Sequence, residues 1–158
     1  MTEHRARIHW QSSAGDFTHG NYSREHTWTF DGGLTVPASA SPGVVPARYC
    51  NPSSLDPEEA FVASISSCHM LTFVHMASRD GLEVLNYEDD AVGTMTRDDR
   101  GIPWVSSVVL SPMVEYRLDR APSPEQEQEL HHRAHEQCFI ANSVKTKIVV
   151  SPRPSTRL

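Results

Sequence analysis

The sequence predicts an α+β fold with mainly antiparallel sheet. Strand-like segments come in runs separated by helices, two segments carry full helix start signals, and no strict βαβ alternation of the parallel folds is present. The predicted order is two strands, a long helix, two strands, a shorter helix and a last strand. At 158 residues the chain fits one domain, taken here as 1–158.

The first strands are read in "RARIHW" and "HTWTFDGGLTVPA", where "DGG" favours a tight reversal. Between them "QSSAGDFTHGNYSRE" is rich in turn formers. The start, Met1 to Trp10, reads as polar residues entering a strand and lacks the apolar stretch of a signal peptide, so a cytoplasmic location is expected. Next, "SASPGVVPARYCNPSSLDP" has four prolines in 19 residues, which predicts an irregular surface crossing or a lid.

The long helix has the clearest boundaries. Asp56 is a good N-cap, Pro57 suits the first helical position, Glu59 completes a capping box, and Leu55 with Ala60 can form a staple. From Ala60 to Ala77 no residue carries a formal charge, and Gly81 offers a C-terminal stop. A helix that is apolar all round belongs at a centre. A stretch of about 20 apolar residues would also cross a bilayer, but Ser64, Ser66, Ser67, His69, Thr72 and His75 oppose that reading.

After Gly81, "LEVLNYEDDAVGTMTRDDRGIPWVSSVVLSPMVEYRLD" reads as two long strands about the turn "RDDRG". In the second helix Ser123 caps, Pro124 opens and Gln126 completes a capping box, while Glu125, Glu127 and Glu129 favour the positive end of its dipole. "SVKTKIVVSP" alternates as a last strand, and the tail from about residue 152 to 158 is expected to be flexible. One uncharged helix needs more cover than a single five-stranded sheet provides, so a homodimer that buries it is expected.

A net charge of −6 with 38% hydrophobic residues opposes a nucleic-acid or membrane-surface partner. The three cysteines, Cys50, Cys68 and Cys138, are too few and scattered for a secreted disulfide framework. Each is therefore a small buried hydrophobe or a reactive thiol.

Cys68 sits mid-helix among Ser66, Ser67 and His69, and taken alone it reads as a core residue. Cys138 lies where the second helix ends, a junction that commonly faces a cleft. If both helices pack centrally, the two thiols can approach to the Cα separation of about 6 Å that a disulfide needs. Cys50, in the proline-rich crossing, is taken as incidental. Three further classes stay open from the residues alone. His131 and His135 share a helical face three residues short of Cys138, a spacing that zinc accepts, with Cys68 or His69 as a further ligand. A thiol hydrolase would need an oxyanion motif such as GxSxG, which is absent. A non-catalytic dimer would hold a small apolar ligand or sense redox state. Glu58 and Glu59 read as dipole-favoured acids, and Glu58, ten residues before Cys68, lies about 15 Å from it along the axis. Any carboxylate from this position that serves Cys68 must come from a second subunit.

"LDPEEAFVASISSCHMLTFV", "YEDDAVGTM" and "HEQCFIANSVKT" together resemble the OsmC/Ohr family of osmotically induced and organic-hydroperoxide-resistance proteins, over about residues 5–150. The resemblance implies antiparallel β-sheets wrapped around two central helices in an intertwined homodimer. It also implies a thiol peroxidase that reduces organic hydroperoxides without metal or other cofactor. Cys68 then matches the peroxidatic cysteine and Cys138 the resolving one. Glu58 matches the acidic partner, with Glu59 as second choice, and Arg24 the activating arginine, both supplied by the partner subunit. A dithiol reductant, in the family a lipoyl group, would reopen the disulfide. Phe61, Ile65, Leu71 and Phe139 would form an apolar lining for an alkyl hydroperoxide. "FIANS" after Cys138 replaces the proline and tyrosine of the best-known organic hydroperoxidases, which places the chain in the broader OsmC-like branch. His131, His132 and His135 would then mostly cap and pack the helix end.

Overall fold

The computed structural model describes residues 2–12 and 16–158, so Met1 and, in the predicted turn-rich connection, Ser13, Ala14 and Gly15 lie outside the described residues. The chain divides into two compact units, Met1–Ala60 and Phe61–Leu158.

The first unit holds an antiparallel sheet of β1 (Ala6–His9), β2 (His26–Phe30) and β3 (Thr35–Ala38), in that order. The reversal between β2 and β3 is the one "DGG" predicts, with Gly33 at φ 88°, where only glycine sits without strain. The proline-rich crossing, whose regular structure is a single 3-10 turn at Ala47–Tyr49, is tied to β3. Leu55 N–H donates to Pro37 O (3.2 Å), Ser39 N–H donates to Leu55 O (2.9 Å), and the buried Ser39 hydroxyl accepts Asn51 N–H (3.0 Å). These bonds give irregular backbone the partners it would otherwise lack.

Helix α1 (Pro57–Arg79) begins at the predicted proline. The reciprocal cap is present: Glu59 N–H donates to Asp56 Oδ1 (2.7 Å), and Asp56 N–H donates to Glu59 Oε2 (3.3 Å). The chain leaves the helix at Gly81, with φ 77°.

The two long strands expected after Gly81 are each broken in two. They become β4 (Val84–Asp89), β5 (Val92–Arg97), β6 (Pro103–Leu110) and β7 (Pro112–Tyr116), and the halves enter different sheets. β5 and β6 form the hairpin about "RDDRG", whereas β4 pairs with β7. Asp89 makes the corner, accepting Ser111 N–H (2.6 Å) where the other strand breaks and the Ser66 hydroxyl of α1 (2.5 Å). A single carboxylate so ties both bends to the helix.

Helix α2 (Pro124–Gln137) carries the predicted capping box from Ser123 and Gln126. β8 (Lys147–Val150) pairs in parallel with β6. The tail, expected to be flexible, is hydrogen-bonded: β9 (Thr156–Arg157) runs parallel to β7, and Leu158 N–H donates to Tyr116 O (2.9 Å). The core of this unit has two parts. Phe73, Met76 and Ala77 of α1 pack with Val114, Tyr116, Leu130 and Ala134. Ile65 packs with Val108 and Leu110. The architecture is α+β with mostly antiparallel pairing, as expected.

Candidate functional site

Cys68 lies midway along α1, and Cys138 is the residue at which α2 stops. Neither glycine nor proline ends α2. Cys138 leaves the helix with extended backbone, φ −68° and ψ 116°, and its own N–H is held by His135 O (3.3 Å). Asn142 then closes the end, its side-chain amide donating to Glu136 O (2.8 Å) and Cys138 O (2.9 Å), and its N–H donating to Cys138 O (3.1 Å). Carbonyls that a helix end leaves without partners are thereby satisfied.

This turn brings the two thiols together. Ile140 N–H, two residues beyond Cys138, donates to Cys68 Sγ (3.5 Å), which sets the Cys138 thiol beside Cys68. Both are free thiols, Cys138 fully buried and Cys68 partly exposed. Burial, and next the neighbouring Cys68 sulfur, push the Cys138 thiol up to about 11. Near neutral pH Cys138 is therefore protonated and able to donate its S–H. A cleft of about 360 Å³ opens on the Cys68 side, lined by Ser64, Ser67, Leu71, Thr72 and Phe139. Leu71 is 62% and Phe139 82% exposed, so the mouth of this cleft is apolar and uncovered in the protomer. Of the expected lining, Leu71 and Phe139 take their places. Ile65 does not: it is fully buried against Val108 and Leu110, with Phe61 beside it, because it faces about a third of a turn away from Ser64 and Leu71 on α1.

Arg24 and Glu58 belong to the first unit. The Arg24 guanidinium stacks over the Tyr22 ring at 3.7 Å, lies 5.3 Å from the Tyr49 ring, and donates to Gly20 O (3.1 Å). Its backbone N–H donates to Tyr49 O (2.8 Å). This cation is held on an aromatic bracket. Glu58 keeps one buried carboxylate oxygen, Oε2, without a hydrogen-bond partner. Cys50 remains half-buried, its thiol turned to Ala47 O (3.6 Å).

Of the histidines expected to cap and pack the helix end, His131 packs inward against Phe73. His131 is 3% exposed and His69 1%, and their rings lie edge to edge with planes only 6° apart and Nδ1 of His131 3.1 Å from Nε2 of His69. Phe73 stacks on His131 at 4.2 Å. Burial, helped by the nearby His135, lowers His69 to about 4; burial, helped by His69, lowers His131 to about 3. The pair is neutral and shares one proton between the facing nitrogens. The outer nitrogens, His69 Nδ1 and His131 Nε2, are buried without partners, as is His135 Nδ1. Of the three α2 histidines, His132 is the exposed one, 3.4 Å from Glu136. Among the described residues, no three of His, Cys, Asp and Glu gather into a group that could hold a metal ion. The sequence contained one cue to the pair, a histidine inside an uncharged helix.

The profile of the OsmC-like protein family matches residues 51–153. A solved OsmC-like protein of unknown function from Vibrio cholerae is 45% identical, with 97% of this chain and 100% of that chain covered and a TM-score of 0.94. An organic hydroperoxide resistance protein from Elizabethkingia anophelis shares the fold at 18% identity and a TM-score of 0.72, covering 100% of this chain and 98% of the other. The organic hydroperoxide resistance protein OhrB of Bacillus subtilis shares it at 20% identity and 0.64, covering 94% and 98%. No curated protein matches the sequence.

Proposed function

The chain belongs to the OsmC-like protein family, and on that premise we propose that it is a thiol peroxidase that reduces organic hydroperoxides through Cys68 and Cys138. One observation carries the reading: two neighbouring free thiols, the more exposed one at an apolar cleft. The Cys68 thiolate attacks the terminal peroxide oxygen, the O–O bond breaks, and the alkoxide leaves as alcohol after taking a proton. Cys68 becomes a sulfenic acid. Cys138 then gives up its proton and attacks that sulfur, expelling water and forming the Cys68–Cys138 disulfide. Two thiols lose two electrons, and the hydroperoxide becomes alcohol and water. A dithiol, such as a lipoyl group, returns the electrons. The raised Cys138 suits this order, because it stays protonated while the first step occurs.

The working unit is a cytoplasmic homodimer in which Arg24 and Glu58 of the partner subunit complete the site. The exposure of Leu71 and Phe139 supports a covering copy, as does α1, of which only 28% of an 18-residue apolar stretch is buried in the protomer. Without cover, such a surface is a cost in water. Arg24 would favour the Cys68 thiolate by its charge, and Glu58, with its unpartnered Oε2, would orient that arginine.

The test mixes reduced protein with one equivalent of cumene hydroperoxide and reads thiols and intact mass. The expected result is loss of two thiols and about 2 Da, faster than with hydrogen peroxide. Cys68→Ser should abolish turnover, while Cys138→Ser should stop at a dimedone-reactive sulfenate. Equal residual turnover in both variants refutes the assignment.

A further inference from the structure

A second concavity, of about 740 Å³, lies between α2 and the C-terminal tail and shares no lining residue with the Cys68 cleft. Its volume is that of a small-molecule site. We propose that it binds a small organic monocarboxylate with an apolar tail. Three features of the lining select that chemistry.

The first is polar demand. His131, buried and with Nδ1 committed to His69, lines this cavity with Nε2 unpartnered, and His135 lines it with a buried, unpartnered Nδ1. Buried polar atoms normally have partners, so these sites call for a ligand atom. The second is charge. Arg153 also lines the cavity but is already paired with Asp90 (3.1 Å) and Glu88 (3.9 Å), and its Nε–H donates to Ser111 O (2.8 Å). Arg157 donates only to Pro122 O (3.1 Å) and has no carboxylate partner among the described residues. Glu127 adds a negative charge to the wall, its Oε1 accepting the Tyr116 hydroxyl (3.2 Å). One uncommitted cation beside an acid and neutral imidazoles matches a monoanion; a phosphate dianion would lack its second cation. The third is the remaining wall, Pro124, Val150, Pro152 and Pro154, which offers apolar surface for a tail.

Binding has a defined effect on the histidine pair. A carboxylate oxygen at Nε2 of His131 holds the proton there, so Nδ1 of His131 must accept from Nε2–H of His69. The ligand therefore selects one tautomer of both rings, and His69 is the residue next to Cys68.

Octanoate and octanol serve as probes on the whole protein, with calorimetry for affinity and histidine side-chain ¹⁵N spectra for tautomer. Octanoate should bind, octanol should bind at least about tenfold more weakly, and Arg157→Gln, an exposed change, should weaken octanoate by a similar factor. The bound state should show His131 as the Nε2–H tautomer alone. Absence of octanoate binding up to about 10 mM overturns the proposal, since even a weak specific site binds below that. So does equal binding of octanol, or a bound state in which His131 is not the Nε2–H tautomer, either of which would mean apolar adsorption or water alone at the imidazole. Thiol turnover is not read in this experiment, so it stands or falls apart from the peroxidase assignment.

Discussion

Lowering the pH from about 7 to about 5 should destabilise the fold through His69 and His131. Their ordinary value is 6.5, and in the fold they lie at about 4 and about 3, for reasons of burial first. A depressed folded value means that the neutral pair's contribution is fully present above the unfolded value of 6.5 and is lost as pH falls through the folded values. At pH 5 the unfolded imidazoles are protonated and the folded ones are not. Linkage then gives a loss of about 2 kcal/mol per histidine between pH 7 and 5, about 4 kcal/mol for the pair. In urea, with a slope of about 2 kcal/mol/M, the midpoint should drop by about 2 M. Asp16, Asp80, Asp98 and Glu125 are also held below their ordinary values, but carboxylates titrate lower and leave this window alone. Both melts need one protein concentration, because the stability of the proposed dimer depends on it. Replacing both rings, His69→Leu with His131→Phe, should flatten the dependence whatever the absolute stability. An imidazole of the pair titrating above pH 6, or an unchanged loss in the double variant, would refute the reasoning.

Gly93→Ala should cost about 1–3 kcal/mol in urea unfolding, because a Cβ there would stand 2.5 Å from the Val62 side chain, where β5 crosses α1. Asp89→Ala removes the acceptor of both Ser66 and Ser111 N–H and should cost about 2–4 kcal/mol. Asp99→Ala, in the exposed β5–β6 turn, should change stability by less than about 0.5 kcal/mol in the same melts. A cost for Asp89→Ala no larger than for Asp99→Ala would remove the corner from its structural role.

Both helices are legible from local chemistry because their signals lie within three residues of each other: Asp56 with Glu59, and Ser123 with Gln126. The Gly81 stop and the "RDDRG" hairpin are equally local. The splitting of the two long strands was not legible. Alternation continues through Asp89 and Ser111, and the break depends on a carboxylate reaching across 22 residues to a backbone N–H and across 23 to a helix serine. The tail misled for the same reason, since polar composition suggests freedom but cannot show that Tyr116 has a carbonyl waiting for Leu158.

At the site, residue types and flanking motifs pointed to Cys68 and Cys138, but only the fold puts the two thiols beside each other, through the Asn142 closure that turns the chain after α2. Likewise His69 and the histidines of α2 could be seen in the sequence, while the hydrogen bond that pairs His69 with His131 could not. What the sequence determined alone is whatever neighbouring residues impose on one another: caps, stops, turns, the uncharged length of α1 and the family likeness of its cysteine motifs. What the tertiary structure decided is burial and pairing over distance. His69 and His131, 62 residues apart, become one neutral unit because packing removes both from water, and no local pattern records that loss of solvent.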